Sequence, residues 1–302
     1  MIAVMRIVMA GSSGFLGSHL TTALRERGDE VVRLVRRPAT APDEVRWDPA
    51  FGRLDPATLS TVDAVVNLAG AGVGDHRWTA RYKQTLIASR VDTTATLATA
   101  MAALPRAERP RAFLGQSGVN YYGDTGDTKV DERDPAGEGF LADLCQAWEG
   151  ATRPAEDAGV RVVRMRTGLP LAREGFLKPL LRVFRLGIGG RLGNGRQYHP
   201  WMSMVDWQAA LLFLLDRDDI SGPVNVVGPE PVTNAEFTRA LARVLHRPAL
   251  FPVPKFALRV VIGEFSTDAL ASVRVMPAVL TASGFTYRYT DVTSALRAGL
   301  AR

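Results

Sequence analysis

Cysteine is nearly missing from this 302-residue chain: Cys145 is the only one. A lone cysteine cannot close an internal disulfide, and it removes Cys-clustered metal sites from consideration. Histidine is scarce too. His19, His76, His199 and His246 stand far apart and form no HExxH-type pair, so no metal centre is expected. Only four of the 37 basic residues are lysine (83, 129, 178, 255), and the net charge of +6 rests on arginines placed singly or in pairs. No basic block of the kind that marks a nucleic-acid tail is present, so a nucleic-acid partner is not expected. No apolar run reaches membrane-spanning length, and the apolar start, Met1 to Ala10, carries no basic leader before its glycines. It reads as a first strand; the expectation is a cytoplasmic protein without a membrane partner.

What is present is ordinary for a folded protein. Apolar residues make up 46% and charged residues 23%, enough for a full core and a second, smaller lobe. Residues 5–10 form a β-rich run, a Gly/Ser turn follows, 15–27 carry apolar residues at helical spacing, Gly28 is a natural stop, and 30–35 are a second strand. The alternation continues with strands at 62–68, 112–115 and 160–166 and helices at 79–103 and 139–158. Strands alternating with helices of this length predict an α/β fold with a doubly wound parallel sheet of the Rossmann type. Past residue 170 the pattern loosens. A Gly-rich loop spans 187–195, a helix 206–216, a strand 223–227, a helix Asn234–Leu245 and a last helical region 255–281. The expected division is a dinucleotide-binding domain at 1–170, with elements near 200–230 returning to the sheet, and a smaller mixed lobe for substrate at 171–302.

The strongest motif is Gly11-Ser-Ser-Gly14-Phe-Leu-Gly17, between a strand and a helix. Gly11 permits the turn leaving the strand, Gly14 lets bare main chain approach a pyrophosphate, and Gly17 lets the helix pack close to the sheet. The N–H groups at the helix start favour the anion. The expected contacts on this turn are Gly11, Ser13, Gly14, Phe15, Leu16 and Gly17. At the end of the second strand, where an acidic residue would grip a ribose 2′-hydroxyl, stand Arg36 and Arg37. A guanidinium pairs with a 2′-phosphate that a carboxylate would repel, so NADP(H) is expected over NAD(H). The run Val65-Val66-Asn67-Leu68-Ala69-Gly70-Ala71-Gly72 has the small residues that let backbone lie beside adenosine and ribose; a plain tight turn is the competing account.

These pieces, together with Gly118-Val-Asn-Tyr-Tyr-Gly123, Trp148-Glu149, Pro200-Trp-Met202 and Thr233-Asn-Ala-Glu-Phe237, resemble the extended short-chain dehydrogenase/reductases, and more narrowly their atypical epimerase-family branch. The resemblance implies a Rossmann fold holding NADP(H) and a nucleotide-sugar or other small polar substrate. It also implies cofactor contacts at Leu68, Ala69, Gly70, Arg90, Ser117 and Arg166, beside Arg36 and Arg37, in a monomer or homodimer.

The departure is in the catalytic groups. Members of that superfamily use Tyr-x-x-x-Lys, and none of the six tyrosines here has a lysine four residues on. Registered on Glu149, the pair falls at Leu141 and Cys145, or one residue earlier at Phe140 and Leu144. The usual Ser/Thr place is Gly118, with Ser117 beside it. The remaining candidates for acid–base work are Ser117, Tyr121, Tyr122 and His199. Two readings therefore stay open: an NADPH-dependent reductase or epimerase-like enzyme with an unusual proton donor, and a regulator that holds the cofactor and catalyses nothing.

Overall fold

The computed structural model describes residues 4–301. Its first half runs β1 (Arg6–Ala10), α1 (Phe15–Arg27), β2 (Glu30–Val35), β3 (Glu44–Arg46), β4 (Ala64–Asn67), α2 (Ala80–Ala103), β5 (Ala112–Gly118), β6 (Lys129–Val130) and α3 (Phe140–Gly150). Then follow α4 (Arg153–Asp157), β7 (Arg161–Thr167), β8 (Leu169–Leu171), α5 (Leu177–Arg185), β9 (Tyr198–His199), β10 (Trp201–Ser203), α6 (Met204–Asp216) and β11 (Gly222–Val226). The last elements are β12 (Val232–Thr233), α7 (Asn234–Leu245), α8 (Lys255–Ile262), α9 (Ser266–Ala269), β13 (Arg274–Val275), α10 (Ala278–Ala282) and α11 (Val292–Leu300).

Seven strands form one sheet in the order β11-β7-β5-β4-β1-β2-β3. The pairings from β3 across to β5 are parallel, with Val8 beside Val32 on one side and Val65 on the other. This is the Rossmann-type sheet expected from the alternation. The opening βαβ unit has the expected bounds because Gly28 ends α1 in the left-handed region, at φ 97°, and its N–H returns to the Arg25 and Leu24 carbonyls.

Two compact units interleave along the chain. The first holds residues through Ser117, Leu144–Met165 and Leu211–Pro223; the second holds Gly118–Asp143, Arg166–Ala210 and the chain from Val224 onward. Within the first, Val8, Leu34, Val65, Leu97, Met101 and Phe113 pack into one core. Within the second, Leu177, Leu181, Phe184, Trp201, Phe237 and Leu241 pack with Val292, Ala295 and Leu296 of α11.

Three elements differ from the sequence reading. The helix expected over 139–158 is two helices, because Pro154 offers no N–H to the Gly150 carbonyl and instead opens α4. The helical region expected over 255–281 is broken at Gly263, whose φ is 66°, and again where Arg274–Val275 pairs in parallel with Lys129–Val130. The helix α11 was not foreseen, although Asp291 caps it by accepting from the Thr293 and Ser294 N–H groups.

Candidate functional site

β1 and β4 are neighbours in the sheet although β2 and β3 lie between them in sequence, so strand order reverses there. Open α/β sheets hold ligands beyond the carboxyl ends of strands at such a reversal. The loops leaving these two strands meet main chain to main chain. A Cβ on Gly11 would lie 2.6 Å from Ala69 N and from the Leu68 carbonyl carbon, and Gly11 sits at φ 80°. A Cβ on Gly17 would strike the Gly11 carbonyl. Both glycines are therefore demanded by the chain itself. Gly14 is held less strictly: its φ is −75°, it is exposed, and a Cβ there would meet one atom, the Gly11 carbonyl oxygen, at a tight 3.3 Å. Its exposed main chain leaves room for a ligand to approach closely on the open side.

α1 starts at this point with no side-chain cap and no acidic residue in its first turn. The N–H groups of Phe15, Leu16 and Gly17 thus have no intrahelical acceptor, and the positive end of the helix dipole is not offset. Ser13 is exposed and Phe15 and Leu16 are half-buried, so the turn is open to an anion.

The Leu68–Gly72 segment is shaped from below. Asn67 Oδ1 accepts from Ala69 N at 3.1 Å while its amide donates to Thr94 Oγ1 at 2.9 Å, and Trp148 Nε1 donates to the same hydroxyl at 2.9 Å. Ala71 N donates to Ser89 Oγ at 3.0 Å. Arg90 lies beneath Gly70, with its guanidinium 5.0 Å from the Trp148 ring and donating to the Leu86 carbonyl. Burial lowers the Arg90 pKa. The sequence pointed to Leu68, Ala69, Gly70 and Arg90 and named Asn67 and Trp148 within motifs, but not their part in positioning this segment, nor Ser89 and Thr94, which lie on α2 with no motif to mark them.

The two arginines after β2 part company. Arg37 is clamped by Glu44 of β3, donating from Nη1 at 2.8 Å and Nη2 at 2.6 Å. The Glu44 carboxylate also accepts from Thr40 N. Hydrogen bonding by Arg37, then by the Thr40 main chain, pulls the Glu44 pKa down to about 2. Glu44 thereby closes the 36–44 loop from inside. Arg36 is exposed and outside this clamp. One of the two guanidiniums is held within the chain and the other faces solvent.

The candidate acid–base groups are mostly engaged internally. In the first unit, Ser117 is buried and donates to Glu149 Oε1 at 2.8 Å. At the places of the usual pair, Leu144 and Cys145 of this unit and Leu141 of the second are buried apolar side chains, and Phe140 of the second is half-buried. In the second unit, the Tyr122 hydroxyl donates to Asn225 Oδ1 at 2.8 Å and accepts from Arg166 Nη1 at 2.9 Å. Burial pushes the Tyr122 phenol up to about 12, against the pull of Arg166. The Arg166 guanidinium carbon lies 3.4 Å from the Tyr121 ring centroid, and the Tyr121 and Tyr122 rings meet edge to face. Tyr121 is half-buried. His199 is buried between Phe176 and Phe237, with Nε2 3.4 Å from Asn234 Nδ2. Burial alone draws its pKa down to about 4, so it is a neutral core residue.

A reversal-point turn built for an anion, on a sheet of this order, defines a nucleotide-binding Rossmann protein of the short-chain dehydrogenase/reductase type, and the chain belongs to the NAD dependent epimerase/dehydratase family, whose profile matches residues 7–228. A domain of unknown function, DUF1731, matches residues 253–298. The chain is 45% identical to epimerase family protein ML0860 of Mycobacterium leprae, over 96% of this chain and 94% of that one. It is 33% identical in sequence to human epimerase family protein SDR39U1, crystallised with NADPH, at a TM-score of 0.89 over 97% of this chain and 98% of that one. A nucleoside-diphosphate sugar epimerase structure from Corynebacterium glutamicum is also 33% identical, with a TM-score of 0.81 over 99% of this chain and 58% of that one.

Proposed function

We propose that this protein binds NADP(H) at the Gly11–Gly17 turn and acts as an oxidoreductase or epimerase-like enzyme on a small polar substrate of the nucleotide-sugar class. The observation that carries the reading is the uncapped, acid-free start of α1 beneath an exposed Gly14, with Arg36 unclamped after the next strand. The main-chain N–H groups of Phe15, Leu16 and Gly17 bind the pyrophosphate across the exposed Ser13–Gly14 turn, and Arg36 reads the 2′-phosphate while Glu44 holds Arg37 to keep the loop in shape. Leu68, Ala69 and Gly70 flank the adenosine, and Arg90 supports them from below. The NADPH in the human SDR39U1 crystal structure supports this choice of cofactor. A bound nicotinamide supplies hydride exchange. The chain's part is to bind, orient and manage a proton, and it does so without a tyrosine–lysine pair. Ser117 and Tyr122 are both occupied by internal partners, so Tyr121 is the hydroxyl left to donate to a substrate.

The same engagement of Ser117 and Tyr122 favours a second reading, a cofactor-holding regulator without turnover. A purified sample incubated with NADPH and a panel of sugar nucleotides, quinones and aldehydes separates the two. NADPH consumption that Tyr121→Phe removes supports the enzyme. Tight NADPH binding with no consumption across the panel supports the regulator.

A further inference from the structure

Among the described residues, twelve large apolar side chains are exposed, and eight of them fall in two stretches of the second unit, 183–188 and 250–261. Leu186, Ile188, Leu250, Phe251, Phe256 and Val260 each keep more than six tenths of their surface in water. The two stretches belong to one surface. Val253 N donates to Arg191 O at 2.8 Å, Gly193 N donates to Val253 O at 2.9 Å, and Gly187 lies against Pro248. α8 carries Phe256 and Val260 one turn apart and buries none of its residues. An apolar patch of this kind on a folded surface marks an interaction site.

Charge identifies the occupant. From Gly175 to Val205 there are five Lys or Arg and no Asp or Glu; from Phe237 to Gly263 there are again five and none, in a chain with 31 carboxylates. The flanking carboxylates along the chain are Glu174, Asp206, Glu236 and Glu264. A second copy docked through this face would bring the same cations against themselves. Protein hot spots sit in close-packed pockets, whereas these side chains protrude. Protruding rings on two stretches that carry cations and no carboxylate match an anionic lipid surface, where the rings enter the interface and the cations meet headgroup phosphates; Asp124 and Asp127 share a cleft with Lys255 and Arg196 at one edge of this face.

We propose that the face formed by α8, the 248–254 segment and the 183–191 segment docks this protein on an anionic membrane surface. This is attachment to a surface, compatible with the finding that no helix among the described residues is long and apolar enough to cross a membrane. It stands apart from the cofactor reading.

Flotation of the full chain with vesicles is the test. Vesicles of phosphatidylcholine mixed with phosphatidylglycerol should carry the protein, phosphatidylcholine alone should not, and raised salt should release it. Phe251→Ser with Phe256→Ser should lower the partition coefficient by at least about tenfold, with an unchanged melting temperature as the folding control. Absence from phosphatidylglycerol vesicles at low salt overturns the proposal. So does a double variant that floats like the wild type, since charge alone would then explain binding. A wild-type dimer that Phe256→Ser dissociates would assign the face to a second copy. Retention on immobilised polyglutamate equal to that on vesicles, and equally weakened by the double variant, would assign it to an acidic protein.

Discussion

The Gly11–Gly17 turn and the Tyr121–Tyr122 cluster are opposites in how their polar groups are disposed. At the turn, main-chain donors at the start of α1 have no intrahelical acceptor and no side-chain cap, the first turn holds no acidic residue, and Gly14 leaves exposed main chain bare. Around Tyr122, the hydroxyl, Arg166 and Asn225 are joined to one another under cover, and Asn225 also donates to the Met276 carbonyl. The first leaves donors that an anion can complete. The second is a polar network that holds its unit together. Buried polar groups must be paired, so a network satisfied from within contributes to stability and offers little to a ligand, while unpaired donors at the surface can be completed by one. The family's usual catalytic places fall in covered, satisfied or apolar surroundings here, whereas its nucleotide-binding turn is open.

The contrast can be broken at the glycines first. Gly17→Val forces a side chain into the Gly11 carbonyl and should cost at least about 4 kcal/mol, read as loss of cooperative melting. Gly14→Val should still melt cooperatively, with a smaller loss of stability than Gly17→Val because its Cβ would stand 3.3 Å from the Gly11 carbonyl rather than overlap it, yet weaken NADPH by more than about 100-fold, or roughly 3 kcal/mol, in a fluorescence titration. A folded Gly14→Val that keeps its affinity would place the pyrophosphate elsewhere.

His199 tests whether the second unit is as closed as it looks. The folded protein keeps this imidazole neutral down to about pH 4, while the unfolded chain takes up the proton near its ordinary 6.5. Acid therefore favours unfolding, and stability should fall as pH drops from about 6.5 towards 4, by on the order of 3 kcal/mol from this residue. Burial raises the Glu132 carboxyl, which acts in the opposite direction, so the quantity to read is the difference between wild type and His199→Gln in urea titrations across that range. Parallel curves for the two proteins would show that His199 is protonated more easily than its surroundings imply.

Arg36→Asp sharpens the open side. It should weaken NADPH by roughly 10- to 100-fold, or about 1.5–3 kcal/mol, and leave NADH nearly unchanged. The smallest effect belongs to the closed side: Tyr122→Phe removes one hydroxyl from Arg166 and Asn225 and should cost about 1–2 kcal/mol of stability with no change in NADPH affinity. A large loss of NADPH binding in that variant would mean that the cluster takes part in holding the cofactor.

The opening βαβ unit was legible because its signals are local: an apolar run, glycines at fixed offsets, a helical period and a left-handed stop at Gly28. The start of α7 at Asn234 was legible for the same reason, and there Thr233 and Glu236, three residues apart, close a capping box. What escaped was set by partners distant in sequence or by short elements. The clamp on Arg37 depends on β3, three residues long and without a periodic signature. Ser117 is tied to a glutamate 32 residues away, and Tyr122 to an asparagine 103 residues away. The break between α3 and α4 was readable from Pro154, and the start of α11 from Asp291, whose side chain accepts from the Thr293 and Ser294 N–H groups.

The central claim is that a nicotinamide dinucleotide with a 2′-phosphate completes the uncapped start of α1. Isothermal titration of the wild-type chain with NADPH and with NADH tests it directly. One site per chain is predicted, with NADPH clearly the tighter ligand and its advantage shrinking as salt is raised. No heat with either nucleotide, or equal affinity for both, would contradict the account.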